Sequence, residues 1–396
     1  MRHRLETFGG IVASDNPPFL AFVDRQYLRE QGVAESPLWQ GPEEVGTLSA
    51  PVEVHFACTN RCSLGCAHCY MESGVEDRDA LDTAGFQQAL DTLARLGVFH
   101  VALGGGEALE RGDLFELATH ARQVGLVPNL TTNGHLVDDR MAERLRVFGQ
   151  VNLSLDGVGA AAKTFRDGAD FAVVDRAFGC LQRAGVAAGI NCVVGRRNVD
   201  SLRDLFHYAA GKGIAEIEML RFKPSGRGLA LYEPHRALPA QNRAMYPLFR
   251  ELSETTGVRT KIDCSFVPML CWHRPPMEWL EAYCVCGCEA GNFLIGARSD
   301  GRVCGCSFLP TTELRIAELP ERWADAPEFA RYRSWPETAP EPCASCAYLR
   351  HCKGGCHAVA LAVLGDAGQP DPDCPWVEEY RARGSRSPHE SHGNRR

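Results

Sequence analysis

Three cysteines lie within eight residues of "CSLGCAHCY", at Cys62, Cys66 and Cys69, and Cys58 stands just upstream in "FACTNRC". The spacing C-x3-C-x2-C brings three thiols into one short loop, where they can form a disulfide, bind zinc or hold an iron–sulfur cluster. The other cysteines narrow the choice. Of eighteen in the chain, four fall between 58 and 69, five between 284 and 306 and five between 343 and 374. Only Cys180, Cys192, Cys264 and Cys271 stand alone, and these read as packing residues. The N-terminus "MRHRLETFGGIV" lacks the apolar core of an export signal, so the expected compartment is the reducing cytoplasm. Clustered cysteines there read as metal ligands rather than crosslinks. A cubane [4Fe–4S] cluster held by three cysteines keeps one iron open to another ligand. Zinc would want a fourth ligand, for which Cys58 or His68 is at hand.

Such a loop needs a scaffold, and the sequence supplies a regular one. Six apolar runs, "VEVHF" (52–56), "FHVAL" (99–103), "VPNLT" (127–131), "VNLSL" (151–155), "GINCVV" (189–194) and "AEIEML" (215–220), read as strands. Amphipathic stretches such as "DTAGFQQALDTLARLG" and "SLRDLFHYAAGKG" lie between them and end at glycine stops. Strands and helices in alternation imply an α/β fold with a parallel sheet and right-handed crossovers. Chemistry in such folds gathers at the C-terminal ends of the strands. The cysteine triplet follows the first strand, "GGGEALE" the second and "TTNG" the third, while Ser154 and Asp156 close the fourth.

In this setting the triplet resembles the signature of the radical S-adenosylmethionine (SAM) superfamily. The resemblance implies a partial (β/α)6 barrel, a SAM-binding [4Fe–4S] cluster on Cys62, Cys66 and Cys69, and a spectator role for Cys58. It also implies that His68, before the third cysteine, lies near the adenine. "GGGEALE" looks like the family's Gly-Gly-Glu motif, with Gly105, Gly106 and Glu107 meeting the methionine amino group; Ala108 stands where proline is common. Glycine there would let the backbone approach the ligand. Ser154 and Asp156 resemble the ribose-contacting strand end, and Arg166 in "FRDGADF" the partner of the SAM carboxylate. "LRFKPSGRG" (220–228) matches a segment found after the sixth strand and receives no catalytic role.

Further along, Cys343, Cys346, Cys352 and Cys356 satisfy C-x2-C-x5-C-x3-C, and Cys374 follows; Cys288, Gly301 and Cys306 satisfy C-x12-G-x4-C. Together they resemble the SPASM extension of radical SAM maturases, a small cysteine-rich domain carrying two auxiliary [4Fe–4S] clusters. By that resemblance Cys343, Cys346, Cys352 and Cys374 hold one cluster, and Cys288, Cys306 and Cys356 the other. The position that supplies the second cluster's fourth thiolate in fully ligated members is Ala282 here. Cys284, Cys286 or an open site are the options. Ser307 follows Cys306 where sulfatase-maturing members carry a basic aspartate, which argues against formylglycine formation.

The expected organisation is an N-terminal extension with a hairpin at "FGGIVAS" (1–50), a barrel (51–256), a bridge (257–287), the SPASM-like domain (288–376) and a disordered tail (377–396). A turn at "DGRV" (300–303) marks a further hairpin. A net charge of −8 gives no electrostatic cause for nucleic-acid binding, and no apolar run is long enough to span a membrane. The resemblance implies an enzyme that abstracts a hydrogen from a ribosomally made peptide, to crosslink it, form a thioether or oxidise it. Implied partners are that peptide, an electron donor such as a flavodoxin or ferredoxin, and a separate leader-binding protein. A small-molecule dehydrogenase or heme-pathway enzyme is the second reading, and a non-catalytic zinc-binding protein the third.

Overall fold

Alternating apolar runs and amphipathic stretches become one nine-stranded sheet wrapped by helices. The structure, a computed structural model, describes residues 2–15, 18–43 and 45–384. The six expected strands form, as β4 (Glu53–Thr59), β5 (His100–Gly105), β6 (Val127–Thr132), β7 (Val151–Ser154), β8 (Ala188–Val194) and β9 (Glu216–Arg221). Each pairs in parallel with the next. Before them lie β1 (Arg2–Glu6), β2 (Gly9–Asp15), β3 (Pro18–Asp24) and helix α1 (Arg25–Glu30). The crossover helices are α2 (Thr83–Leu96), α3 (Leu114–Gln123), α4 (Asp139–Arg144), α5 (Phe171–Arg183) and α6 (Leu202–Gly211).

α2 shows why these segments fold as they do. The Asp82 carboxylate accepts a hydrogen bond from the Gly85 amide at 2.8 Å and caps the helix start. Gly97 ends the helix at φ +90°, a left-handed conformation that glycine adopts without a Cβ clash. Phe86, Leu90 and Leu93 recur at helical spacing and are fully buried. Each contributes about 2 kcal/mol by leaving water. Phe86 stacks on Phe56 of β4 with ring centroids 4.0 Å apart.

Pleating divides the sheet by chemistry. Val54 and Phe56 on β4 and Val101 and Leu103 on β5 face the helices in the main apolar core. Their neighbours face inward, and the inward side chains are polar: Glu53 and His55 on β4, His100 on β5, Asn129 on β6, Asn152 on β7, Asn191 on β8 and Glu218 on β9 all line one cavity. Strands whose inner faces share a cavity curl around it. Asn152 bridges the lumen by donating to Asn191 Oδ1 at 2.7 Å, and Asn191 donates to Thr131 Oγ1 at 3.3 Å.

The structure departs from expectation at three places. The βα rhythm does not stop at 256: after helix Pro239–Thr256, β10 (Arg259–Ile262) pairs in parallel with β9. At the far edge β11 (Leu294–Ala297) pairs in parallel with β4, then turns at Asp300–Gly301 into β12 (Val303–Cys304). The residues expected as a bridge and the start of a separate domain therefore contribute strands to both sheet edges. The N-terminal extension is more than a hairpin: β1, β2 and β3 form a three-stranded antiparallel sheet. It packs under the strand entrances through Phe8, Ile11, Val52 and Phe99. The tail is also shorter than expected, since Pro375–Gly384 is a helix anchored by buried Val377 and by Trp376 at 4.4 Å from Trp272. Residues 385–396 of the expected tail lie outside the described residues.

One buried ionic network ties the cysteine-rich C-terminus to the sheet. Arg221, at the end of β9, donates to Asp371 at 2.6 and 3.0 Å and to Asp373 at 2.7 Å. All three residues are buried, and Tyr232 and Arg236 add donors to Asp373. Removing one partner of a buried network strands the other charges. Arg221→Met is therefore expected to destabilise the protein by about 3–5 kcal/mol, measured by denaturant unfolding, whereas Arg183→Met at an exposed, solvent-screened pair should leave the unfolding midpoint nearly unchanged.

Candidate active site

The cavity occupies about 600 Å³ and runs through the lumen to the C-terminal strand ends. Sites for small ligands typically measure ~300–1,000 Å³. Its wall includes the triplet Cys62, Cys66 and Cys69 together with His68, Gly105, Gly106, Glu107, Ser154 and Arg166. Residues spread over a hundred positions of sequence are brought to one space because β4 to β7 end side by side. Asp156 is not among the lining residues.

The cysteine loop is held from several sides. Cys62 N–H donates to the Gly74 carbonyl at 3.3 Å, and Gly106 and Glu107 amides donate to the Thr59 and Arg61 carbonyls at 2.8 and 2.7 Å. From the opposite side Arg227 donates through Nε to the Cys66 carbonyl at 3.0 Å and through Nη1 to the Ser73 carbonyl at 2.9 Å. Its backbone N–H reaches the Cys69 carbonyl at 3.0 Å. "LRFKPSGRG" thus clasps the loop, a role that its sequence alone does not reveal. The motif's glycines also serve the loop. A Cβ on Gly106 would lie 1.9 Å from the Arg61 carbonyl oxygen, and one on Gly105 would lie 2.3 Å from that of Thr59. These glycines admit the cysteine loop, and both also line the cavity. Gly104 is the one facing open space, where an added Cβ would meet nothing within 4 Å.

The polar groups are partly spent on one another. Glu107 is buried, and its carboxylate accepts from Thr132 Oγ1 and the Asn133 amide, both at 2.7 Å, and from the Leu109 amide at 3.1 Å. Burial raises its pKa, and these hydrogen bonds offset only part of the effect. Asp156 is fully buried and accepts from Arg166 Nε at 2.8 Å and from the Val193 amide at 2.8 Å. It therefore positions Arg166. Arg166 keeps an edge in the cavity wall. Burial opposes its charge, but Asp156 outweighs burial and the pKa is raised. His68 sits beside Phe165 and Phe222, with its Nδ1 buried and lacking a hydrogen-bond partner. Burial first, and then the Arg166 cation, push its pKa down to about 4, so the ring is neutral near pH 7.

All eighteen cysteines are free thiols. Cys58 is buried in the main core and donates to the Gly104 carbonyl at 3.3 Å, outside the cavity wall. Among the described residues no three His, Cys, Asp or Glu side chains converge as one metal ion would require. In the C-terminal part, Cys343, Cys346, Cys352 and Cys374 line one small apolar cavity, joined there by Cys271. Cys288, Cys306 and Cys356 share a second apolar cluster with Phe165, Phe222 and Leu309. Burial pushes the Cys288 and Cys343 thiols up to about 12. Cys271 and Cys264, read from the sequence as isolated packing residues, thus prove to neighbour these groups; only folding brings them there. Cys284 and Cys286 are exposed.

Known proteins resemble this chain. The radical SAM superfamily pattern matches residues 56–209. Mycofactocin maturase MftC of Mycobacterium ulcerans (strain Agy99) is 32% identical over 346 residues, spanning 85% of this chain and 90% of that protein. The AdoMet-dependent heme synthase of Methanosarcina barkeri (strain Fusaro / DSM 804) is 29% identical over 349 residues, 83% of this chain and 98% of that protein. Streptococcus suis SuiB, solved with S-adenosylmethionine and with precursor peptide SuiA, shares the fold at TM-score 0.72 and 18% identity, over 94% of this chain and 98% of SuiB.

The glycine geometry gives a contrast that needs no cofactor. Gly106→Ala should lift residues 60–62 off the sheet, lower stability by about 2 kcal/mol and raise amide hydrogen exchange across residues 60–74. Gly104→Ala should leave exchange there unchanged.

Proposed function

Because the chain belongs to the radical SAM superfamily and so is an enzyme, we propose that it modifies a ribosomally made peptide by hydrogen abstraction. One observation carries the reading: the cysteine triplet, His68, Glu107, Ser154 and Arg166 border a single cavity at the strand ends. The donor set suits the cofactors. Three free thiols on one clasped loop would hold a [4Fe–4S] cluster, and Gly104 leaves room beside it. Reductive cleavage of SAM to methionine and a 5′-deoxyadenosyl radical, which takes a hydrogen atom from the substrate, is the chemistry these groups supply when bound.

The chain's own residues orient and enclose. Arg166, fixed by Asp156, presents a cation to the SAM carboxylate, and Glu107 presents a carboxylate to its ammonium. Neutral His68 offers an uncharged ring near the adenine, and Ser154 a hydroxyl to the ribose. The N-terminal sheet brings Phe19 and Leu20 to the lumen wall and so limits water entry from below. Cys343, Cys346, Cys352 and Cys374 would hold one auxiliary [4Fe–4S] cluster and Cys288, Cys306 and Cys356 the other, which would take up the second electron of an oxidative modification or bind substrate. A flavodoxin or ferredoxin is the expected electron source, and a separate protein the expected leader binder.

The peptide reading is supported by the maturase MftC and by SuiB, which was solved with a precursor peptide. Near-complete coverage of the heme synthase supports a second reading, a small-molecule substrate in the same cavity. Anaerobic turnover with SAM and a chemical reductant, with and without a candidate short peptide encoded near the gene, separates them by mass spectrometry. The expected products are 5′-deoxyadenosine and a peptide lighter by a pair of hydrogens. Deoxyadenosine with an unchanged peptide moves the assignment to a small molecule, and iron-loaded protein that forms none removes the radical reading. Arg227→Ala should loosen the loop and release iron to a chelator about 10-fold faster, the size typical of lost support around metal ligands. Arg166→Ala should weaken SAM binding about 10-fold in equilibrium dialysis while iron content stays constant.

A further inference from the structure

The group of Cys288, Cys306 and Cys356 lacks a fourth thiol at the position expected from its relatives. Ala282 occupies that position, at the exposed end of helix Met277–Ala282. Cys284 and Cys286, two and four residues on, are both exposed. Cys286 is neighboured by Glu289, Lys353 and Cys284, with Lys353 paired to Glu289.

A different cysteine approaches this group from the sheet. Cys264 opens the single turn Cys264–Phe266 that follows β10 at the C-terminal edge of the barrel. The next residue is tied to the cysteine-rich segment through a short relay. Arg221 Nη1 donates to the Ser265 carbonyl at 3.3 Å and to Asp371 Oδ2 at 2.6 Å, and that same oxygen accepts from the Cys356 amide at 2.9 Å. The backbone also closes up here: a Cβ on Gly355, the residue before Cys356, would come within 2.9 Å of Pro268 Cγ. Asp263, just before Cys264, pairs with buried Lys223, whose ammonium lies 4.2 Å over the Phe308 ring, two residues after Cys306. These contacts bring the turn that bears Cys264 against the segments that bear Cys356 and Cys306, with the Lys223 cation among them.

We propose that Cys264 is the fourth protein ligand of the auxiliary cluster held by Cys288, Cys306 and Cys356. The assignment rests on the cluster reading given above. It deepens that reading by closing the site: with four thiolates, every iron carries a protein ligand and none is left to bind substrate. The Arg221 network then serves a second purpose, since it holds the turn that bears Cys264 against the segment that bears Cys356. Lys223 fits the same picture, as a buried cation beside a group of anionic sulfurs that also borders the cavity.

The test uses the full chain with Cys62, Cys66 and Cys69 replaced by alanine, so that only auxiliary iron remains after anaerobic reconstitution. Into this parent are placed Cys264→Ala, Cys264→Ser, Cys284→Ala and Cys286→Ala, with iron counted and the reduced clusters read by electron paramagnetic resonance. The expected result is a changed signal, or a loss of about four irons per chain, for Cys264→Ala, and an unchanged signal for both Cys284→Ala and Cys286→Ala. Should Cys264→Ala not fold, Cys264→Ser retains a weaker oxygen ligand and is expected to keep its iron with shifted g values. A Cys264→Ser signal identical to the parent, or a change in either of the other variants, overturns the assignment while leaving the clusters in place. A parent that binds zinc or no iron overturns the cluster reading beneath it.

Discussion

The Arg221 guanidinium is the point on which the two parts of this protein depend. It ends the sixth strand of the central series, and in the buried interior it satisfies Asp371 and Asp373 from the last cysteine-bearing segment. Burial of three charges is tolerated because the carboxylate oxygens have further partners, among them Tyr232, Arg236 and the Cys356 amide. Burial disfavours the Arg221 charge, yet Asp371, Tyr232 and Asp373 outweigh it and raise the pKa well above the ordinary value. A network of this kind fixes direction and register in a way that apolar contact does not. It sets Cys356 and Cys374 relative to the sheet, and so relative to the lumen.

The lumen follows from a second constraint, the alternation of side chains along a strand. Apolar residues at one parity bury under the helices, which leaves the other parity facing inward. In this chain that parity carries Asn129, Asn152, Asn191 and Glu218, whose hydrogen bonds run from strand to strand. The result is a polar cavity in a shell of well-packed apolar side chains, capped by a loop whose thiols border the same space. Glycine at 105 and 106 is required because that loop lies against the backbone of β5's end, with Arg227 gripping it from the other side.

Much of this was legible in the residues themselves. Strands β4 to β9 carry β-branched and apolar runs bounded by glycine stops, a local signal that needs no tertiary context. The motifs at their ends were legible for the same reason, since a parallel sheet places all of them on one side. What escaped was decided by contacts distant in sequence. β10 reads "RTKI", so only pairing with β9 makes it a strand, whereas the turn before β12 was marked by "DGRV". Helix Pro375–Gly384 resembled a basic tail until Trp376 met Trp272. Asp156 and Arg166 each suggested a ligand contact, whereas ten residues of separation were enough for them to pair. Cys264 and Cys271 looked isolated because their neighbours are supplied by segments up to about a hundred residues away.

Everything proposed for the lumen turns on whether the Cys62–Cys69 loop holds a redox-active cluster that meets SAM there. Electron paramagnetic resonance of the reconstituted, reduced full-length protein, before and after SAM is added, decides this. A cluster signal should be present, and a component of it should change shape on SAM addition and be missing from the protein lacking Cys62, Cys66 and Cys69. A spectrum that SAM leaves unaltered, or one that persists in full without those three cysteines, would rule the cluster assignment out.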